Sequence, residues 1–416
     1  MDTTRRTILR GMAAAPVAAA VGGLALPTEA AAAAGKYRLK GRSAPRWAPG
    51  HSYRSVINRL SPLLGGPVPV AEVLTRTPAL EAKRIPHWPT RDDDDGTKPR
   101  PDSEPEELLH AFRWADTDFF TTEWRPQGIT TNYDANGSAP RTLLVSWYGR
   151  LGARRQGARI SIVKWDAAGE PTYQHVLLVE PNRVRTEESE HDDFIGTDLH
   201  AGGIAWYGNK LYVADSTETR PGLRVFDLSR IFKVTRGPGV GRQPDGTYQA
   251  YGYDYVLPQC YAYDASGSAT KGLTFSQVSM DRTGRRPALL VSEFTGAHCR
   301  LARWELRGER SGYLHSVKSS WEGTANGEDG VQGAVRANGK YYFSASRTSK
   351  NPGELRSWSG GTRRGKRESF LNIGCEDLSY SRMNGRAALW SLGEYANDES
   401  DDRRAPFSRY VYAVRP

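Results

Sequence analysis

The stretch that decides the fold is His200-Ala201-Gly202-Gly203-Ile204-Ala205-Trp206, followed by Leu211-Tyr212-Val213-Ala214-Asp215 and Leu223-Arg224-Val225-Phe226-Asp227. It contains three short apolar runs of strand length, and turns rich in Gly, Asn, Thr and Pro separate them. Glycine opens the first run, and the third run ends beside an aromatic residue. This pattern predicts three consecutive β-strands.

The same three-part unit occurs five times between residues 111 and 416. Each copy has a short strand that opens with a Gly-aliphatic signature, then a stronger apolar strand, then a strand that ends near an aromatic residue. A small sheet cannot bury both faces alone, so such units stack radially and cover one another. The five openings are Gln127-Gly128-Ile129, Gly202-Gly203-Ile204, Lys271-Gly272-Leu273, Gln332-Gly333-Ala334 and Glu376-Asp377-Leu378.

We therefore predict an all-β fold, a β-propeller of about five blades over residues 111–416. A β-sandwich does not explain a five-times-repeated opening, and a β-helix needs shorter and more even rungs. A sixth blade stays open, because Trp114–Trp124 or Tyr251–Tyr263 could supply its strands.

The first 34 residues carry the three parts of an export signal. Thr4-Arg5-Arg6-Thr7-Ile8-Leu9-Arg10 places two adjacent arginines before an apolar pair. A weakly apolar run, Met12–Leu26, follows, and Ala30–Ala34 offers A-x-A cleavage sites. We expect a twin-arginine signal peptide over 1–34, the Tat translocase as export partner, and a secreted, extracellular protein. The apolar run is short for a spanning helix, so no lasting membrane anchor is expected.

Residues 35–110 are expected to form an irregular N-terminal segment with an acidic linker. Arg91-Asp92-Asp93-Asp94-Asp95-Gly96 and Glu104-Pro105-Glu106-Glu107 are acidic, poor in apolar residues and typical of loops. The four aspartates lack the alternating ligand spacing of an EF-hand. The cofactor is therefore unknown, and a divalent cation such as calcium stays open.

The net charge indicates the class of ligand, and the cysteine count limits the possible disulfides. The formal net charge of +10 favours acidic partners. The basic residues are scattered, however, so an extracellular glycan or another small or polymeric ligand is expected and a nucleic acid is not. Three cysteines allow one disulfide, and we expect Cys260 and Cys299, which lie before and within the third repeat, to pair and leave Cys375 free.

One resemblance follows from these residues. The run from His200 to Trp206, with Leu211 to Asp215, resembles NHL-type and lactonase-type propeller repeats. Together with the signal peptide, the repeats resemble Tat-exported secreted propellers of actinobacteria. The resemblance covers residues 111–416 and implies the architecture. That group mixes enzymes with binding proteins, so it assigns no catalytic residue to this chain.

Propeller geometry indicates where a site would lie, because the first strand of each blade lines the central channel. Glu376 and Asp377 stand where other openings have a polar residue and glycine, which places two acids at the channel. Second-strand ends add Asp215, Glu293 and Glu394. We expect Glu376, Asp377, Glu293 and His200 to be catalytic, and Gln127, Lys271, Gln332, Asp215 and Trp206 to bind substrate.

These residue types favour carbohydrate chemistry. Two carboxylates flanking a sugar can hydrolyse a glycosidic bond, and a His or Lys base can drive β-elimination on a uronate. The sequence contains no G-x-S-x-G, H-E-x-x-H or P-loop motif. We therefore expect a glycoside hydrolase or polysaccharide lyase.

Two alternatives stay open: a non-catalytic propeller that binds glycan, cell wall or protein, and a metal-assisted esterase or lactonase. An enzyme needs titratable groups within about 10 Å of one another in one pocket. A binding module would instead show separate aromatic pockets, one per blade.

Overall fold

The fold is described from a computed structural model. No helix within its described residues combines the length and the apolar character needed to cross a membrane. The expected signal peptide (1–34) and the acidic runs at 91–96 and 104–107 lie outside the described residues. The structure describes residues 35–76, 79–85, 108–165, 169–187, 189–217, 219–295, 298–346, 352–359, 367–396 and 409–416.

Five blades of four antiparallel strands surround a central channel, which confirms the predicted propeller. The inner strands contact one another in a closed ring, blade I against II, II against III, and so on back to I. Blade I comprises β6 (Trp124–Thr131), β7 (Thr142–Gly149), β8 (Ala158–Lys164) and β9 (Thr172–Arg185). Blade II comprises β11 (Ile204–Tyr207), β12 (Lys210–Asp215), β13 (Gly222–Asp227) and β17 (Tyr255–Ser266).

The remaining blades follow in chain order. Blade III comprises β18 (Gln277–Asp281), β19 (Ala288–Ser292), β20 (His298–Glu305) and β21 (Trp321–Asn326). Blade IV comprises β22 (Val331–Ala337), β23 (Lys340–Ala345), β24 (Gly353–Trp358) and β25 (Arg367–Leu371). Blade V comprises β26 (Ser379–Met383), β27 (Arg386–Leu392), β28 (Tyr410–Val414) and β5 (Leu108–Arg113).

Blade V closes the ring with strands from both ends of the propeller sequence. Its third strand, β28, pairs with β5, which precedes blade I in the chain, so the two ends of the propeller sequence are held together. The two segments considered for a sixth blade are used elsewhere. Trp114–Trp124 contains helix α3 (Asp116–Phe119), and most of Tyr251–Tyr263 belongs to β17. The propeller therefore has five blades.

Apolar side chains fill the spaces between the blades. Trp147, Trp304 and Trp390 are wholly buried there, each among aliphatic and aromatic residues of more than one blade. Strands covered on both faces bury nearly every side chain, as the second strands of the blades do. This explains why they read as continuous apolar runs in the sequence.

The N-terminal segment is not irregular where the structure describes it, so that expectation was wrong. Strand β1 (Arg38–Arg42) pairs with β17 at the outer edge of blade II. Helix α1 (Tyr53–Leu63) begins at a Ser52 capping box and buries Val56 and Leu60. Composition alone hid the helical spacing of its apolar residues. The other elements are β2 (Pro67–Val68), α2 (Val70–Arg76), β3 (Leu80–Glu81) and β4 (Lys83–Ile85), which pairs with β5 in blade V.

Blades I and II are also joined at their outer edges. The long strands β9 and β17 run past their blades and pair in parallel, and β14 pairs with both β17 and β2. This lateral layer packs under α1. In this layer β14 spans Ile231–Lys233, and β10 (Glu190–Gly196) pairs with β9. Strands β15 (Val240–Arg242) and β16 (Tyr248–Ala250) form a separate two-stranded sheet. Two further short helices are α4 (Asn132–Asn136) and α5 (Ser268–Lys271).

Candidate active site at the channel entrance

All five inner strands begin at one end of the channel and finish at the other. We call the end where they begin the entrance, and the end where they finish the exit. Blades V and I are joined at the entrance, where the Asp377 N–H donates to the carbonyl oxygen of Gln127 (3.3 Å). The exit is filled in part by α4, which directly follows the first inner strand.

Asp377 is held by three backbone N–H groups from three blades. Its Oδ2 accepts from Ile129 (3.0 Å) in blade I and Ile204 (3.2 Å) in blade II. Its Oδ1 accepts from the following residue, Leu378 (2.9 Å). Burial raises the pKa of Asp377 well above its usual value, and the hydrogen bonds from these N–H groups and from Gln277 oppose that rise. The carboxyl group thus lies in the channel wall and ties blades I, II and V together.

The glycines of the openings permit this close approach. A Cβ on Gly203 would lie 2.6 Å from the Val278 nitrogen, and one on Gly333 would lie 2.5 Å from the Leu378 nitrogen. In both cases the obstructing atom is the backbone of the next inner strand. Side chains are excluded because the blades touch there.

The third opening was assigned wrongly. Lys271 lies in helix α5, and inner strand β18 begins six residues later, at Gln277. A Cβ on Gly272 would have only ordinary contacts, the nearest at 3.5 Å. The Lys-Gly-Leu triplet mimics the repeat by chance, and it does not place Lys271 at the start of an inner strand.

Two other carboxylates from blade V meet two glutamines at the entrance. Glu376 Oε1 accepts from Gln332 Nε2 of blade IV (3.1 Å), and Glu394 Oε2 accepts from Gln127 Nε2 of blade I (2.9 Å). Glu376 is 0% exposed, whereas Glu394 is 6% exposed. The predicted grouping of Glu376, Gln127 and Gln332 is therefore present around the entrance, with Glu394 added to it.

Arg125 and Tyr395 complete this cluster, and the sequence reading did not select them. Arg125 Nη1 lies 3.5 Å from Glu394 Oε2, and its guanidinium lies over the Tyr395 ring, 5.1 Å from the centroid. The charge of Glu394, followed by burial, raises the pKa of Tyr395, and the charge of Glu376 adds to the rise. Tyr395 is thus within electrostatic reach of both carboxylates.

Glu293 and Asp215 are paired with arginines of their own blades. Glu293 Oε1 accepts from Arg300 Nη2 at 2.7 Å, and Asp215 Oδ2 lies 2.7 Å from Arg224 Nη2. Both carboxylates are almost fully buried. Each links the end of a second strand to the third strand, so these contacts stabilise single blades.

His200 and Trp206 lie toward different ends of the channel. His200 is half-buried and stacks on Tyr148 of blade I, with ring centroids 4.5 Å apart. The Trp206 backbone N–H donates to Thr130 near the exit, and its indole N–H donates to the Gly208 carbonyl. The sequence analysis expected Trp206 to lie at the channel mouth with Glu376, and the structure does not place it there.

The expected disulfide is absent, since none of the three cysteines forms one. Cys260 lies in β17 of blade II, whereas Cys299 packs in the apolar cluster between blades III and IV. Burial raises the pKa of each of these two thiols to about 12. No group of three or more His, Cys, Asp or Glu side chains in the described residues is arranged to hold a metal ion.

A Ser-His-Asp arrangement in blade I was also missed. Ser161 Oγ lies 3.0 Å from His175 Nδ1, and His175 Nε2 lies 3.0 Å from Asp118 Oδ2. Ser161 is wholly buried and its oxygen accepts the indole N–H of Trp147 (2.8 Å). Ser161 and His175 lie on the third and fourth strands of blade I and not on the strand that lines the channel. This chain of hydrogen bonds therefore joins strands β7, β8 and β9 to α3.

No protein-family model and no curated protein matches the chain. Among solved structures, it is similar to a B. megaterium levansucrase mutant, with a TM-score of 0.38 and 10% identity over 70% of this chain and 85% of that one. It is also similar to RS223-β-xylosidase, with a TM-score of 0.30 and 11% identity over 70% and 91% of the two chains.

A third similar structure is the GH43_1 enzyme from Xanthomonas citri complexed with xylotriose. Its TM-score is 0.32, with 11% identity over 71% of this chain and 88% of that one. Similarity at this level assigns no activity to the chain, and the propeller fold is established by the strand pairing itself.

Proposed function

We propose that the protein is a secreted enzyme that hydrolyses glycosidic bonds of an extracellular carbohydrate at the channel entrance. The observation that carries the proposal is the convergence of Glu376 and Glu394 on one cluster with Gln332, Gln127 and Arg125. Glycoside hydrolysis uses two carboxyl groups with different roles. The two glutamic acids have different neighbours, as that division of roles requires.

Glu394 is assigned the part of the carboxylate that faces the sugar, because the guanidinium of Arg125 lies 3.5 Å from it. It acts as the nucleophile or as the base that activates water. Glu376, which accepts its hydrogen bond from the neutral amide of Gln332, acts as the proton donor to the leaving sugar. Gln127 and Gln332 carry amide groups suited to sugar hydroxyls.

Two further observations favour hydrolysis over the other candidates. Lys271, one of the two bases considered for elimination, lies in α5, away from the start of the inner strand. A binding propeller would present an aromatic pocket on each blade, whereas Trp147, Trp304 and Trp390 are buried between blades.

The experiment is a release assay for reducing sugars with the mature protein and a panel of neutral and acidic polysaccharides. We expect Glu376→Gln and Glu394→Gln each to lower kcat by about 10³-fold on the cleaved polymer, with the melting temperature unchanged. Glu190→Gln on the β9–β10 hairpin, outside the channel, is the matched control and should keep full activity. Cleavage of no polysaccharide, or a folded Glu376→Gln enzyme with undiminished kcat, would refute the proposal.

We also propose export through the twin-arginine pathway, supported by the adjacent Arg5 and Arg6. Replacing both with lysine should abolish secretion, because the translocase reads the arginine pair. Arg10→Lys, outside the pair, is the control and should be secreted normally. Immunoblots of culture supernatant and cell extract measure the outcome, and normal secretion of the double variant would exclude this route.

A further inference from the structure

A cavity of about 170 Å³ opens at the exit, opposite the proposed active site. Its wall is built by α4 and by the last residues of the inner strands of blades III, IV and V. Three arginines, one from each of those blades, line it: Arg282, Arg336 and Arg382. Tyr133 and Tyr380 line it as well, and their rings meet edge to face with centroids 6.0 Å apart.

Two of the acids near this cavity, Asp134 and Asp281, are engaged elsewhere. Asp134 is buried, and its Oδ2 accepts from the hydroxyls of Thr130 and Ser379, both at 2.7 Å. Asp281 Oδ2 accepts from Arg303 Nε at 2.9 Å and lies farther, 3.7 Å, from Arg336 Nη1. The positive charge that faces the cavity is therefore only partly balanced.

The arginines differ in how firmly they are held. Arg282 donates two hydrogen bonds to the Asp134 carbonyl oxygen, at 3.1 and 2.6 Å, so its guanidinium is fixed against α4. Its Nη2 also lies 3.4 Å from Glu309 Oε1, which balances part of its charge. The buried Nε of Arg336 meets no hydrogen-bond acceptor among the described residues. Arg382 is exposed, and its described hydrogen bond is from Nη2 to the Gly385 carbonyl (3.1 Å). A guanidinium has five N–H donors, so donors remain for a ligand.

We infer that this exit cavity binds a single oxyanion group, a phosphate, sulfate or carboxylate, carried by a free anion or by an acidic sugar. Arginine side chains that converge from three blades match the several oxygens of such a group. Tyr133 adds a hydroxyl donor to the wall of the cavity. The size of the cavity suits one such group and not a polymer chain.

The test is isothermal titration calorimetry of the mature protein with inorganic phosphate, inorganic sulfate and galacturonic acid as separate probes. We expect at least one probe to bind, with affinity that falls as sodium chloride is raised. Arg336→Gln and Arg382→Gln should each weaken binding by about tenfold or more. Arg382 is exposed, so its variant should fold even if Arg336→Gln does not.

Arg386→Gln provides a matched control, because it removes an equal charge from the same β26–β27 hairpin. Arg386 pairs with Met383, one residue beyond Arg382, so it lies on the other face. Binding of phosphate or sulfate alone would identify a free anion, and binding of galacturonic acid an acidic sugar, either one supporting the inference. Binding of none, or equal weakening by Arg386→Gln and Arg382→Gln, would overturn it. Glu376→Gln should bind the anion normally. The outcome at the exit therefore does not depend on whether the proposed catalysis at the entrance is correct.

Discussion

The two ends of the channel are built by the same five strands, yet they carry opposite charge. The entrance gathers the acids Glu376, Asp377 and Glu394, and the exit gathers arginines from three blades. At the entrance, glycine lets neighbouring strands touch, so polar groups there are buried and bonded. At the exit, α4 fills only part of the space and leaves a cavity. Where the inner strands touch, a carboxylate such as Asp377 therefore ties blades together.

Two adjacent acids at the entrance show the same division at smaller scale. Asp377 is bonded to backbone N–H groups of three blades, whereas the described hydrogen bond of the Glu376 carboxylate comes from the Gln332 side chain. The former contacts hold the ring, and the latter belongs to the proposed site. Amide or alanine substitutions should therefore affect the two neighbours in different ways.

The largest effect on stability is expected for Asp377→Ala. The substitution leaves the N–H groups of Ile129 and Ile204 buried without their acceptor, and we expect a loss of about 3–5 kcal/mol in the free energy of unfolding. Urea denaturation followed by tryptophan fluorescence measures this. Glu376→Gln, one residue away, should lose less than about 1 kcal/mol. Equal losses for the two variants would show that Asp377 does not hold the blades together more than Glu376 does.

The buried Asp134 at the exit should make the free energy of unfolding depend on pH. Burial raises the pKa of Asp134 from 3.8 to about 6, so between these values the folded state binds its proton more tightly than the unfolded chain does. The free energy of unfolding should therefore fall as pH rises through this window, by about 3 kcal/mol for this group. Asp134→Asn removes the titration.

Asp377 contributes in the same direction, because its pKa is also raised. The comparison must therefore be made between the wild type and Asp134→Asn at pH 4 and pH 7 in the same buffer. The loss between the two pH values should be smaller in the variant by about 3 kcal/mol. Parallel profiles for the two proteins would contradict the assignment of Asp134 as a titrating group at the exit.

The sequence predicted the propeller because each blade repeats a local pattern of strand lengths and apolar runs. It failed at the third blade, where Gln277 begins the strand without a preceding glycine. The Gln277 side chain hydrogen-bonds to Asp377, so this opening needs a side chain where others need space. A search for a Gly-aliphatic opening could not find this strand start, and it selected Lys271-Gly272-Leu273 instead.

The candidate site was predicted in part for a related reason. The openings share a position in the repeat, so Glu376, Gln127 and Gln332 could be gathered from sequence. The pairing of Glu293 with Arg300 depends on the turn between β19 and β20, which the repeat does not specify. The exit arginines also lie at similar positions, three to five residues after each strand begins, and comparing strand ends as well as beginnings would have found them.

The close approach of neighbouring inner strands at the entrance can be tested by adding one methyl group. A Cβ on Gly333 would lie 2.5 Å from the Leu378 nitrogen and 2.7 Å from the Asp377 carbonyl carbon, both backbone atoms that cannot move without disturbing the Asp377 tie. We expect Gly333→Ala to cost about 2 kcal/mol, as overpacking of a close contact does.

Gly308→Ala is the matched control, because a Cβ there would have nothing within 4 Å. It should change the free energy of unfolding by less than about 0.5 kcal/mol. Neither glycine has a positive φ, so the two variants differ in contacts and not in backbone strain. The midpoints of urea unfolding, measured with unchanged slopes, give the difference directly. If both variants are equally stable, the inner strands beside Asp377 are loosely spaced, and the contrast in strand spacing between the two ends of the channel is wrong.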